Sequence, residues 1–185
     1  MIVTIHKPNF LPLIPFFEKI DQADAYVCLT HCQFEKNGFQ NRFNHDDKWY
    51  TMSVKKGNIP IKEKKYIAAT ENWEKIKNEL PVFLDFLSTF DHLITDNLAQ
   101  TNLNIIKQIM CLRGIDTMVR TDWETHLTST ARLVDICVQL GADAYLSGLG
   151  AKEYLDESLF EKENIKVIYQ QPKNKVSLLN EISGI

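Results

Sequence analysis

No stretch of this chain approaches the roughly 20 consecutive apolar residues needed to cross a bilayer. Its N-terminus also lacks a basic region followed by an apolar signal core, so the expected setting is the cytoplasm with no membrane partner. A basic excess is missing too. The formal net charge of -3 removes any global electrostatic argument for nucleic acid or anionic lipid and leaves only a local basic patch open. Cysteine is scarce, at four residues: Cys28, Cys32, Cys111 and Cys137. Cys28, His31 and Cys32 lie close together, but no second Cys/His pair sits at ligand spacing, which favours buried reduced thiols over a metal site. No internal repeat, low-complexity tract or long linker divides the sequence. What remains is a chain of 185 residues, 44% hydrophobic and 24% charged, enough to bury one sizeable core and read as one domain over 1–185.

The chain is organised around its first dozen residues. Residues 2–5 form an apolar, β-branched run, and Pro8 disfavours helical geometry at Lys7, so a short strand ends near His6. Pro15 suits the first turn of a following helix, whose apolar face takes Ile14, Phe17 and Ile20, or Phe16 and Ile20. A second strand over 25–29 completes a unit of about thirty residues, the size of a βαβ motif. Further on, 49–54 alternates as a strand, 55–58 makes a turn and 59–70 reads as extended. Asn72 is the expected cap of a helix through Trp73, Ile76 and Leu80. A second helix follows Pro81, and a third runs over 96–113 to Gly114. Strands over 115–119, 144–146 and 165–169 alternate with helices starting at Ser129 or Thr130 and spanning 151–160. This alternation predicts an α/β, three-layer Rossmann-like fold with a mainly parallel sheet, helices on both faces and a helical insertion around 72–113.

Ligands of open parallel sheets bind beyond the carboxyl ends of the strands, near the reversal of strand order. Three loops fall there: residues 6–12, 33–42 and 147–152. His6, with Asn9 beside it, is the candidate catalytic pair, since a histidine titrates near neutrality and can move a proton or donate to an anion. The plainer alternative is a histidine that satisfies a strand-end carbonyl. Ser147, Gly148 and Gly150 open a turn whose N–H groups can face an anion, with Lys152 adding charge; glycine used only for its conformational freedom is the competing view. Lys36 and Arg42 can hold an acidic group, and Gln33, Gln40 and Asn41 supply paired amide contacts. Interleaved Phe34, Phe39 and Phe43 can stack bases, so nucleic acid stays open as an acceptor; a solvated loop is the bland reading of the same stretch. His31, His45, His92 and His126 lack such settings and are expected to be structural or exposed.

The segments Ile5-His-Lys-Pro-Asn-Phe-Leu-Pro12, Phe17-x-x-Ile20, Ala23-Asp24, Gln33-Phe-x-Lys36, Gln40-Asn-Arg42 and Tyr145-Leu-Ser-Gly148, with Lys152 and Tyr154-Leu155, together resemble the WbqC-like family. That resemblance covers positions 5–155 and implies a link to bacterial surface-polysaccharide gene clusters. It also implies transfer of small amino-acid or acyl groups onto sugars or other activated acceptors. It places His6, Pro8, Asn9, Pro12, Gln33, Lys36, Asn41, Arg42, Ser147, Gly148, Lys152 and Tyr154 on recurrent positions. Leu13, Phe39 and the stretch after Tyr169 depart from the family pattern, the last bearing on specificity. A looser similarity joins the first strand, His6-x-x-Asn9 and the following helix to nucleotidylyltransferases with a His-x-Gly-His motif, Asn9 standing where their second histidine would be. The expected function is a transferase joining a small amine, amino acid or acyl group to a phosphate-activated acceptor such as a sugar nucleotide or modified nucleic acid. Its substrate would carry a phosphate or carboxylate, and no cofactor is named. The alternatives are nucleotidylyl transfer and a non-catalytic sugar-nucleotide or nucleic-acid binding module.

Overall fold

The computed structural model describes residues 1–172 and 177–182. Five parallel strands form the central sheet: β1 (Ile2–His6), β2 (Ala25–Cys28), β5 (Met118–Thr121), β6 (Ala144–Ser147) and β7 (Lys166–Tyr169), in the order β5-β2-β1-β6-β7. From β1 the chain moves outward to β2 and β5, then crosses to the other side of β1 for β6 and β7. Strand order therefore reverses between β1 and β6, and the crevice beyond their carboxyl ends is where such a sheet holds a ligand.

The two faces of β1 follow from its alternation. Val3 and Ile5 pack with helices α5 (Ser129–Gln139) and α6 (Glu157–Lys162). Tyr26 and Cys28 of β2 face α1 (Ile14–Asp21) and α4 (Leu98–Leu112). His6 meets the edge of Phe16 on α1, with ring centroids 5.1 Å apart. Thr4, wholly buried, donates its hydroxyl to the Leu146 carbonyl at 2.9 Å, so the centre of the sheet carries no orphaned donor there. The described thiols Cys28 and Cys137 are buried, Cys32 is half-buried and Cys111 exposed, all unpaired.

Between β2 and β5 the chain inserts an antiparallel hairpin, β3 (Arg42–His45) with β4 (Lys48–Thr51), and the helices α2 (Ala69–Glu79) and α3 (Leu84–Ser88) before α4. The helical insertion starts at Ala69, ahead of the expected Asn72. Ala68 takes the cap position in a left-handed conformation, while Asn72 lies inside the helix and donates back to the Ile67 and Ala68 carbonyls. The helix expected over 151–160 is two pieces, a 3₁₀ turn at Leu149–Glu153 and α6, because Asp156 caps the second by accepting from the Ser158 N–H. The strand expected over 115–119 lies three residues later as β5, since Gly114 ends α4 and residues 115–117 serve as the connection. Beyond Gln170, Leu178 and Leu179 of α7 (Leu178–Ile182) return to the core beside α4; residues 173–176 and 183–185 of that divergent tail lie outside the described residues.

The insertion is pinned to the first turn. Asn102 on α4 donates to the carbonyls of Pro8 at 2.8 Å and Gln40 at 2.6 Å, and accepts from the Tyr66 hydroxyl at 2.7 Å. The Phe10 N–H donates to the Phe39 carbonyl at 2.8 Å. One buried amide thus ties the loop after β1 to the loop after β2, which is what brings separate segments to one edge of the sheet.

Candidate functional site

A cavity of about 860 Å³ opens at the carboxyl ends of β1, β2 and β6, at the switch point. The turn after β1 contributes His6, Lys7 and Asn9, and α1 contributes Pro15 and Phe16 from its first turn and Lys19 from its last. Cys32, Glu35, Gly38, Phe39 and Gln40 come from the loop after β2, while Ser129, Thr130 and Arg132 come from the start of α5. Ser147, Gly148, Gly150 and Tyr154 follow β6, and Gln170 follows β7, where its side chain donates to the Pro15 carbonyl at 2.8 Å.

His6, Asn9, Gln40, Ser147, Gly148, Gly150 and Tyr154 therefore share this cavity. Gln33, Lys36, Asn41, Arg42 and Lys152 do not line it. Exposed Gln33 donates to the Asn58 side chain, and buried Asn41 donates to the Met52 carbonyl at 2.8 Å. Arg42 bonds the carbonyls of Asn37 and Gly38 and lies 4.0 Å over the Trp49 ring. Lys36 is exposed, and the Lys152 ammonium sits 5.8 Å above the Tyr169 ring. Neither Gly148 nor Gly150 has a positive φ, and an added Cβ at either would meet open space. The 3₁₀ turn that follows is too short to present a helix terminus.

His6 is half-buried and its Nδ1 lies 2.9 Å from the Lys7 carbonyl. A carbonyl only accepts, so Nδ1 carries the proton and Nε2 keeps its lone pair. Burial, and then the nearby Lys19 ammonium, push the imidazole pKa down to about 3. His6 is thus neutral across the physiological range and can accept a hydrogen bond or a proton at Nε2.

Lys19 lines the cavity and carries no motif signature. It is only 4% exposed, and among the described residues it has neither an acidic partner nor a hydrogen bond; burial lowers its pKa to about 8. Lysine is almost never buried unless paired, so this side chain is the unusual charge of the lining. Its signal was positional: Lys19 follows Phe16 by three residues and so shares that helix face. The other charges of the lining are offset, Lys7 by Glu35 and Arg132 by Asp122. Gln40, 3% exposed, accepts from the Glu35 N–H at 3.2 Å while its Nε2 has no partner among the described residues; the Asn9 side chain likewise has none.

Asp122, just past β5, is the second feature with no local sequence signature. Its buried carboxylate accepts from the Thr30 N–H at 2.7 Å, the Thr30 hydroxyl at 3.0 Å, His31 Nδ1 at 3.0 Å and an Arg132 amino group. It fixes the loop after β2 to the start of α5. His45 is buried, and His92 and His126 are exposed, all outside the cavity lining. Among the described residues no cluster of three or more His, Cys, Asp or Glu is placed to hold a metal ion.

With this geometry in view, the sequence profile of the WbqC-like protein family matches residues 7–177. The chain belongs to the WbqC-like protein family. The match takes in every residue that lines the cavity except Ile5 and His6 at its start. Uncharacterized protein Rv1507c of Mycobacterium tuberculosis is 25% identical over 186 residues, an overlap covering 90% of this chain and 80% of that protein. No solved structure matches the chain significantly. Among the described residues no helix is long and apolar enough to cross a membrane.

Proposed function

We propose that this WbqC-like protein is a small-molecule transferase that joins an amine, amino acid or acyl group to a phosphate-activated acceptor such as a sugar nucleotide or modified nucleic acid. The observation that carries this reading is Lys19, a largely buried side chain whose ammonium lines the cavity unpaired among the described residues. A phosphate placed beside it recovers Coulomb energy that burial leaves unspent and offsets the Lys19 share of the His6 depression, burial being the larger share. Binding of the phosphate-bearing substrate would therefore raise the basicity of Nε2 at the point where an attacking amine loses its proton, the new bond to nitrogen forming as the bond to the phosphate-bearing leaving group breaks. The cavity mouth suits a ring-bearing acceptor. Phe39 is 41% exposed at the lining and packs 5.4 Å from Trp49, and Tyr154, 75% exposed, also lines the cavity.

A thermal-shift screen of sugar nucleotides, nucleoside triphosphates and amino acids identifies the substrates, and mass spectrometry of paired incubations detects the joined product. His6→Ala should then lower turnover by roughly a hundredfold or more while leaving the fold intact; a folded variant with normal turnover removes His6 from the chemistry. The pKa of about 3 in the ligand-free cavity favours one second reading, a binding module in which His6 only accepts a hydrogen bond. Saturable binding with no product from any paired incubation distinguishes it. Release of pyrophosphate from a nucleoside triphosphate would instead mark nucleotidylyl transfer.

A further inference from the structure

The cavity has a second end, opposite in character to the one at Lys19. Arg132 is 8% exposed and lines the cavity from the first turn of α5. One amino group is committed to Asp122 and to the Trp123 carbonyl at 3.1 Å, and Nε is buried with no hydrogen-bond partner among the described residues. Guanidinium N–H groups are strong donors and unused ones are costly; Nε is closed off, but the second amino group also has no partner among the described residues and is the donor that a ligand in the cavity can meet. It does not stand alone. The N-terminus of α5, an eleven-residue helix, has no side-chain cap, and the N–H groups of Ser129, Thr130 and Ala131 have no partner among the described residues. The buried Thr130 hydroxyl accepts from the Asp156 N–H at 3.1 Å, leaving its own hydrogen free to donate.

We propose that this end is a carboxylate subsite, with Arg132, the Thr130 hydroxyl and the first-turn amides of α5 as its donors. Charge decides between carboxylate and phosphate. Asp122 offsets the guanidinium, so the α5 end offers many donors but little net charge beyond the helix dipole, which suits a monoanion. Lys19 has no such offset and suits the more highly charged phosphate. On the transferase reading above, the carboxylate belongs to the amine donor, which would make that donor an amino acid and place it across the cavity from the phosphate-bearing acceptor. The subsite itself does not depend on that reading.

The test titrates the full chain with sodium acetate, and separately with inorganic phosphate, while following backbone amide shifts by ¹H–¹⁵N NMR at constant ionic strength. Acetate should move the amides of residues 129–132 in wild type and equally in Lys19→Met, whereas phosphate should act on α1 near Lys19 and lose that effect in Lys19→Met. Arg132→Lys, which keeps a cation for Asp122 but removes the guanidinium fork, should weaken the acetate response by roughly tenfold. The wild-type and Lys19→Met arms decide the matter if Arg132→Lys does not fold. An acetate response confined to α1, one at α5 that vanishes in Lys19→Met, or none at α5 throughout the titration overturns the subsite. Absence of turnover with both responses intact would count against the transferase reading alone.

Discussion

Replacing Lys19 by methionine should make the ligand-free protein more stable, and the gain should depend on pH in a way only a buried unpaired ammonium explains. Burial lowers the Lys19 pKa from 10.5 to about 8. At about 1.4 kcal/mol per pH unit, holding this group charged inside the fold costs about 3 kcal/mol at neutral pH. Between pH 8 and 10.5 the unfolded chain keeps the proton that the folded one has released, so wild-type stability rises with pH across that window and the cost fades. Methionine fills similar volume without a charge and removes the cost at every pH. Lys19→Met should therefore melt roughly 6–12 °C above wild type at pH 7, taking about 2–4 °C per kcal/mol for a chain of this size. The gap in unfolding free energy, measured in urea, should shrink by about 2–3 kcal/mol between pH 7 and pH 10. Inorganic phosphate should stabilise wild type and leave the variant unmoved. A variant less stable than wild type at pH 7, or a gap that ignores pH, refutes the assignment of Lys19 as an unsatisfied charge.

Two further outcomes follow from named contacts. Asp122→Asn strands Arg132 as a buried cation and should cost about 3–5 kcal/mol in urea unfolding, with Thr30 and His31 losing their anchor. Gly38→Ala places a Cβ 2.8 Å from the Gln40 side-chain oxygen, so the Gln40 amide must turn away. Unfolding should change little while affinity for the ligand found in the thermal-shift screen falls roughly fivefold, the loss of about one hydrogen bond.

Much of the fold is written locally. The β-branched run ending at His6, the Pro15 helix start and the glycines after α4 and α5 each act through their own backbone, and their elements stand within a few residues of the expected places. Gly114 and Gly141 carry the positive φ that ends those helices. Errors arise where a tertiary partner decides. Asn72 has the chemistry of a cap but sits within the helix, because the turn at Ala68 starts it earlier. In the site, His6 and the turn after β6 are legible because strand ends announce themselves. Arg42 and Asn41 bear the right chemistry but spend it on the carbonyls of their own loop and hairpin. Lys19 and Arg132 are invisible to motif reading for the opposite reason. Each is an ordinary surface residue type on an amphipathic helix, and only its buried place in the cavity lining, without a full set of partners among the described residues, sets it apart.

The net charge of -3 and the positive cavity are compatible because one buried ammonium outweighs many solvated charges in its own neighbourhood. Screening in water reduces a surface pair to little, whereas Lys19 acts through a low-dielectric wall on whatever shares the cavity. His6 shares it, and the two cations they would become oppose each other. On the proposed reading this couples the order of events to the chemistry. Burial and then Lys19 make His6 too weak a base to hold a proton, and a bound anion relieves the second of these restraints. The residue that makes the empty protein less stable then also adds to the restraint on its base, and that added part ends when the phosphate-bearing substrate arrives.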